Sequence, residues 1–187
     1  MKSGVATFLG IMKRKNTSSS APGSLEAPVL GVDIGRVIIE GDGPDTNFIG
    51  GSEDDAMRAP AMHGAFESLR RLTQLFDRRV WLVSKCGPKI QERSRKWLDR
   101  HRFFQTTGIP YGQLRFCRER KEKAPICLDL GVTLFIDDRL DVLHAMAGIV
   151  PYRFQFGAST APEGIVPVRN WDETEQAITA VLDARAA

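Results

Sequence analysis

Residues 31–38 read GVDIGRVI, that is Gly31-Val32-Asp33-Ile34-Gly35-Arg36-Val37-Ile38. An apolar run delivers one carboxylate at its end, and a glycine follows two residues later. Together with Val29 and Leu30 the run VLGVDI (29–34) is almost continuously apolar, the pattern of a central strand covered on both faces of a parallel sheet. The acid is then stranded at a sheet edge as a nucleophile, a metal ligand or a turn residue, and the rest of the chain has to decide which.

Downstream, short apolar runs alternate with longer stretches of helical period. VWLVS (80–84), LRFC (114–117), VTLFI (132–136) and YRFQF (152–156) read as strands. Between them Leu69, Leu72, Leu75 and Phe76 recur at helical spacing. So do Ile90, Trp97 and Leu98, then Ile126, Cys127 and Leu130, then Leu140, Leu143 and Met146. Pro88 and Pro125 stand where first-turn prolines belong, and Gly131 and Gly148 where helices stop. Asp172, with Glu175 three residues on, predicts a capping box opening a last helix. The alternation predicts an α/β fold class: a three-layer Rossmann-like domain over residues 29–187, with a mostly parallel five- or six-stranded sheet and helices on both faces. One segment breaks the pattern. Residues 40–62, EGDGPDTNFIGGSEDDAMRAPAM, are polar and aperiodic, which predicts a functional lid or a disordered insert.

Composition narrows the function classes. The chain has 187 residues, 42% of them hydrophobic, enough for one core, and no apolar run approaches the roughly 20 residues that span a bilayer. Its formal charge of +3 resides in residues 1–28, where Lys2, Lys13, Arg14 and Lys15 face only Glu26, so the body of the chain is neutral. That body gives no global argument for a nucleic-acid partner. The Ser-rich, basic stretch 1–28 has no period with which to pack and predicts a disordered tail. A cytoplasmic location is expected, or an organellar one if the tail is a transit peptide. Cys86, Cys117 and Cys127 are odd in number and lack CxxC spacing, against a disulfide framework or a zinc site. No histidine is placed beside Cys86 by any local pattern, so it is not read as a nucleophile.

Ligands of an open parallel sheet bind at the carboxyl ends of its strands. There the sequence places Asp33, Ser84 and the pair Asp137-Asp138, with Lys123 opening the helix ahead of the fourth strand. Carboxylates converging on one edge repel unless a cation lies between them, and hard oxygen ligands favour Mg²⁺. An N-cap role for one of the two paired acids, at the helix beginning near Arg139, is physically sound while the other binds metal.

The order of these motifs, with FIDD at 135–138, resembles the haloacid dehalogenase-like superfamily over roughly residues 29–160. The resemblance implies a Mg²⁺-dependent phosphatase with Asp33 as nucleophile and metal ligand and the Gly35 carbonyl as a further ligand. It implies Asp137 and Asp138 on the metal, Ser84 on a phosphoryl oxygen, and Lys123 stabilising nucleophile and phosphoryl charge. Helix position favours Lys123 over Lys121 for that clamp. With a flap loop implied at residues 40–62 and no long insert, the chain resembles a nearly capless member, open to bulky substrates. GVDIG also resembles the phosphate hairpin of sugar kinases and actin-like ATPases, but Arg36 stands where a second glycine is expected and the chain is too short for two lobes.

Phosphatases of the resembled superfamily carry a second Asp two residues after the nucleophile, as general acid on the leaving alcohol. Here that residue is Gly35. General acid help is worth about 10² to 10⁴ in rate, so ordinary phosphomonoesters should turn over slowly. Three readings stay open: a substrate with a good leaving group, a substitute acid such as Glu40 or Asp42, or a catalytically weak phosphate-binding and regulatory protein. Basic residues gather at Arg93, Arg95, Lys96, Arg100 and Arg102, read as a solvated helix face. A second group, Arg115, Arg118, Arg120, Lys121 and Lys123, leads into the proposed site. Arg120 is expected to bind a small phosphorylated substrate, or a polyanion such as a nucleotide or a nucleic-acid end.

Overall fold

The computed structural model describes residues 27–41 and 49–186. The expected tail, 1–28, lies almost wholly outside the described residues, and so does the middle of the 40–62 segment.

Six strands, β1 (Leu30–Val32), β2 (Val80–Lys85), β3 (Leu114–Cys117), β4 (Leu134–Asp137), β5 (Tyr152–Phe156) and β6 (Val166–Val168), form one sheet in the order β3-β2-β1-β4-β5-β6. Every neighbouring pair is parallel. Among the described residues seven α-helices accompany them: α1 (Glu53–Arg58), α2 (Ala65–Leu75), α3 (Pro88–Arg100), α4 (Phe103–Thr107), α5 (Lys123–Asp129), α6 (Leu140–Ala145) and α7 (Trp171–Ala186). Successive strand side chains point to opposite faces, and the core divides accordingly. Leu30, Val32, Leu82 and Ile136 pack with Leu72 of α2, Trp97 of α3 and Ile178 of α7 on one face. Val83 and Phe135 pack with Cys127 of α5 and Leu143 of α6 on the other.

The strand order reverses between β1 and β4, which are neighbours although remote in sequence. A parallel sheet opens a crevice at such a point, outside the strand ends. Asp33 and Asp137 therefore stand side by side. Asp33 N donates to Ile136 O at 3.0 Å, which carries the pairing of β1 one residue past the strand.

Gly31 fixes the packing beneath them. A Cβ built there would fall 2.8 Å from Cε2 of Phe135 and closer still to its Cδ2. Only glycine admits the Phe135 ring. Gly31→Ala should cost about 1–3 kcal/mol through overpacking, read as a lower midpoint in urea at unchanged m-value.

The sequence missed several elements. The helices α1 and α4 and the strand β6 are short, and α1 falls inside the segment read as aperiodic. The last helix opens at Trp171, and its cap differs from the expected Asp172–Glu175 box. Asn170 Oδ1 accepts from Glu173 N at 3.0 Å, while Glu173 Oε2 accepts from Arg169 N at 2.8 Å. Glu175 instead binds Arg71 of α2 at 2.6 Å.

Arg93 also departs from the expected solvated face. It is 6% exposed and donates from Nη1 to Ile49 O and from Nη2 to Gly51 O, both at 2.9 Å. Trp97 Nε1 donates to Ala59 O at 2.8 Å, and Lys96 pairs with Glu53 at 2.8 Å. The C-terminal part of the 40–62 segment is thereby fastened along α3. Among the described residues no helix is long and apolar enough to cross a membrane.

Candidate active site

The carboxyl edge of the sheet collects its polar residues from four elements. β1 delivers Asp33, β4 delivers Asp137 followed by Asp138, and β2 carries Ser84 one residue before its end. α5 begins at Lys123, and its first turn points the lysine back over the β1–β4 junction. Asp33, Gly35, Ser84, Arg120, Lys123 and Asp138 share one cleft, with Asp137 behind them.

Lys123 organises this group. Its side chain is 3% exposed, and Nζ lies 2.7 Å from Asp137 Oδ2 and 2.8 Å from Asp33 Oδ1. The face of the Phe135 ring sits 5.7 Å from Nζ, so the aromatic that Gly31 admits also flanks the ammonium. Burial acts to lower the basicity of Lys123, but Asp137 and Asp33 outweigh it and hold the ammonium above the usual lysine range. Lys121, the alternative clamp, is exposed and pairs with Glu119 at 2.7 Å.

Asp137 is fully buried and doubly engaged, since its Oδ1 accepts from Arg139 N at 3.0 Å while Oδ2 meets Lys123. The N-cap of α6 is Arg139, so neither acid caps the helix, although Asp137 reaches the N–H of that cap residue. Burial first, and then the Asp33 charge, push Asp137 above the usual carboxylate range against the pull of Lys123. Asp138 is raised as well, again by burial and by Asp33, although Arg36, Lys123 and Arg139 oppose this. The three acids carry more negative charge than the lysine cancels.

Two observations bear on whether a divalent ion suits this set. One oxygen from each of Asp33, Asp137 and Asp138 lies within 4.8 Å of the others, close enough for one ion to meet all three. Asp33 Oδ1 is buried without a hydrogen-bond donor, because the Lys123 ammonium approaches it as a charge without hydrogen-bond alignment. A buried carboxylate oxygen met by an ammonium but by no aligned donor keeps lone-pair capacity for a cation, and with the other hard oxygen donors it fits Mg²⁺.

Ser84 is 2% exposed and does not cap α3, whose N-cap is Gly87. Arg120 lines the cleft from a single 3₁₀ turn (Arg120–Glu122) and pairs with Asp141 at 3.3 Å. Cys86 is buried beside the site, where burial pushes its thiol up to about 12. A thiol so raised stays protonated and is a poor nucleophile at neutral pH.

Sequence reasoning missed Lys85, Arg36 and Arg139 as cleft residues. The available signal was position: each lies within three residues of a strand-end group already singled out.

No family model matches the sequence, and no match is found among curated proteins. Among solved structures, the chain is similar to D,D-heptose 1,7-bisphosphate phosphatase from Burkholderia thailandensis. The TM-score is 0.50 at 13% identity, over 81% of this chain and 98% of that one. It is also similar to a candidate haloacid dehalogenase-like hydrolase from Burkholderia xenovorans LB400, with a TM-score of 0.47 at 16% identity, over 68% of this chain and 61% of that one. The likeness to the heptose bisphosphate phosphatase structure is one of fold, which in this chain is a six-stranded, parallel α/β sheet.

Proposed function

We propose that this chain is a Mg²⁺-dependent phosphohydrolase of the haloacid dehalogenase-like kind, acting through an aspartyl-phosphate on Asp33. The observation that carries the reading is the cluster of Asp33, Asp137 and Asp138 at the sheet's switch point, the first two paired with a buried lysine, with Ser84 in the same cleft.

In this reading an Asp33 oxygen attacks phosphorus, the acyl-phosphate bond forms, and the bond from phosphorus to the leaving oxygen breaks with its electron pair on that oxygen. Water then attacks the phosphoryl group, releasing inorganic phosphate and restoring the carboxylate. Lys123 holds Asp33 in place and balances charge on the equatorial oxygens, and Ser84 donates to one of them. Asp33, Asp137, Asp138 and the Gly35 carbonyl would hold Mg²⁺, which supplies positive charge against the non-bridging phosphoryl oxygens. Arg120 offers a cation to the rest of a small phosphorylated substrate, or to a nucleotide or other polyanion.

Gly35 brings no proton donor, so the leaving oxygen departs as an anion. Acyl phosphates, phosphoanhydrides and aryl phosphates tolerate this, whereas alkyl phosphates do not. Gly35→Asp should raise kcat/KM on an alkyl phosphate by about tenfold or more while changing acetyl phosphate turnover little. An unchanged ratio of the two rates, in a variant that still binds Mg²⁺, would reject the missing-acid account. Gly35 also favours a second reading, a catalytically weak phosphate-binding or regulatory protein. That reading expects phosphate-mimic binding by a wild type that turns over none of the activated phosphates.

A further inference from the structure

Arg36 occupies an unusual place. It is a non-glycine residue at φ +60°, in the left-handed region that a long side chain adopts at a cost of roughly 1 kcal/mol. The backbone around it leaves no alternative. Ile34 O accepts from Ile38 N at 2.9 Å and from Ile39 N at 3.0 Å, and Arg36 N donates to Ile39 O at 2.8 Å. Val37, Ile38 and Ile39 are fully buried, and Trp171 Nε1 donates to Val37 O at 2.8 Å. A tight turn built into the core thus aims residue 36 at the site.

The side chain reaches the acid that Lys123 does not hold. Arg36 Nη1 lies 3.5 Å from Asp138 Oδ2, with the two side chains 33% and 18% exposed. Lys123 neutralises on one side of the acid triad and Arg36 on the other. Lys123 and Arg36 thus each offset part of the negative charge of the three carboxylates.

We infer that Arg36 and a divalent ion are alternative partners of Asp138, so that Arg36 is a built-in competitor that sets how tightly this site takes its metal. The inference rests on the proposed metal role of the acids and goes beyond it. The turn fixes the backbone of Arg36, so its guanidinium stays within a side chain's reach of the cleft even when it swings off Asp138. An incoming ion must take Asp138 from it and then endure a positive charge nearby, which weakens binding. Once released, the guanidinium remains in the cleft as an anion-binding group. The site would favour metal and phosphorylated ligand together over metal alone.

The test is titration calorimetry with Mg²⁺, and with Mn²⁺ followed by its electron paramagnetic resonance signal, on the full chain, with folding checked by circular dichroism. Arg36→Ala should bind the ion about tenfold tighter than wild type, and Arg36→Lys should fall between, because a nearby cation opposes a divalent ion at moderate dielectric. Arg36→Gly, which also relieves the turn, should match the alanine variant. In an Asp138→Asn background the Arg36→Ala gain should vanish. Inorganic phosphate should tighten Mn²⁺ binding to wild type more than to Arg36→Ala. Wild-type binding with Arg36→Ala equal or weaker would overturn the competition while leaving the metal site standing. Absence of ion binding in every variant would overturn both.

Discussion

Replacing Asp33 by Asn is expected to lower hydrolysis of acetyl phosphate and of an activated aryl phosphate by at least about a thousandfold, with the protein still folded. The substitution keeps the side-chain shape and removes the nucleophilic charge. Lys123 retains Asp137 at 2.7 Å, so its ammonium is not abandoned. One fewer carboxylate also lessens repulsion among the acids. Comparison of single-turnover rates with and without Mg²⁺, for wild type and variant, reads the effect. Equal rates for the two proteins would reject Asp33 as the attacking group.

The largest stability effect should follow from Lys123→Met. Methionine can fill the volume, yet it leaves Asp33 and Asp137, 7% and 0% exposed, without their shared cation. Removing one partner of a buried ion pair costs about 3–5 kcal/mol, and chemical denaturation near neutral pH should show a loss of that order. Its pH dependence has a definite sign. Asp137 already lies above the usual carboxylate range through burial and its acidic neighbours, and loss of Lys123 raises it further. A carboxyl raised in the folded state stabilises the fold below its unfolded pKa, and that contribution is lost as pH rises through the folded value. The defect of the variant should therefore be small in acid, where the carboxyls are protonated, and grow towards neutrality. Mg²⁺ should restore part of the midpoint, because an ion among the three acids replaces the missing charge. A variant as stable as wild type at neutral pH would contradict the role of Lys123 as their counter-charge.

Both predictions rest on residues that were visible in the sequence, and the reason is geometric. Strands β1 and β4 are buried on both faces, so they read as continuous apolar runs, and an acid at the end of such a run stands out. The strand-end rule then gathers Asp33, Ser84 and Asp137 without knowledge of contacts. β3 and β5 were placed to the residue, because Gly112, Gln113 and Pro151 bound their apolar runs sharply.

Other features depend on tertiary contact and leave a weaker trace. β6 is three residues long and contains Pro167, which an edge strand tolerates but which removes any periodic signal. α1 buries only Ala56 and is held by its Ser52–Asp55 capping box and by α3. Arg93 sat among five basic residues and looked solvated, yet its guanidinium bonds two carbonyls over 40 residues away in sequence. In the site, the ion pair from Arg36 to Asp138 follows from a turn at φ +60°, a conformation that composition does not advertise for arginine. The Phe135 ring beside Lys123 depends on the missing side chain of Gly31, which reads in the sequence as an ordinary interruption of a strand.

In the proposed reaction Asp33 takes the phosphoryl group beside a divalent ion held by the neighbouring acids. A crystal structure with Mg²⁺ and beryllium trifluoride tests it most directly. Beryllium is expected on an Asp33 carboxylate oxygen, with Mg²⁺ shared between Asp33 and the Asp137-Asp138 pair. Beryllium trifluoride bound elsewhere, or Mg²⁺ absent from those acids with the ligand in place, would contradict it.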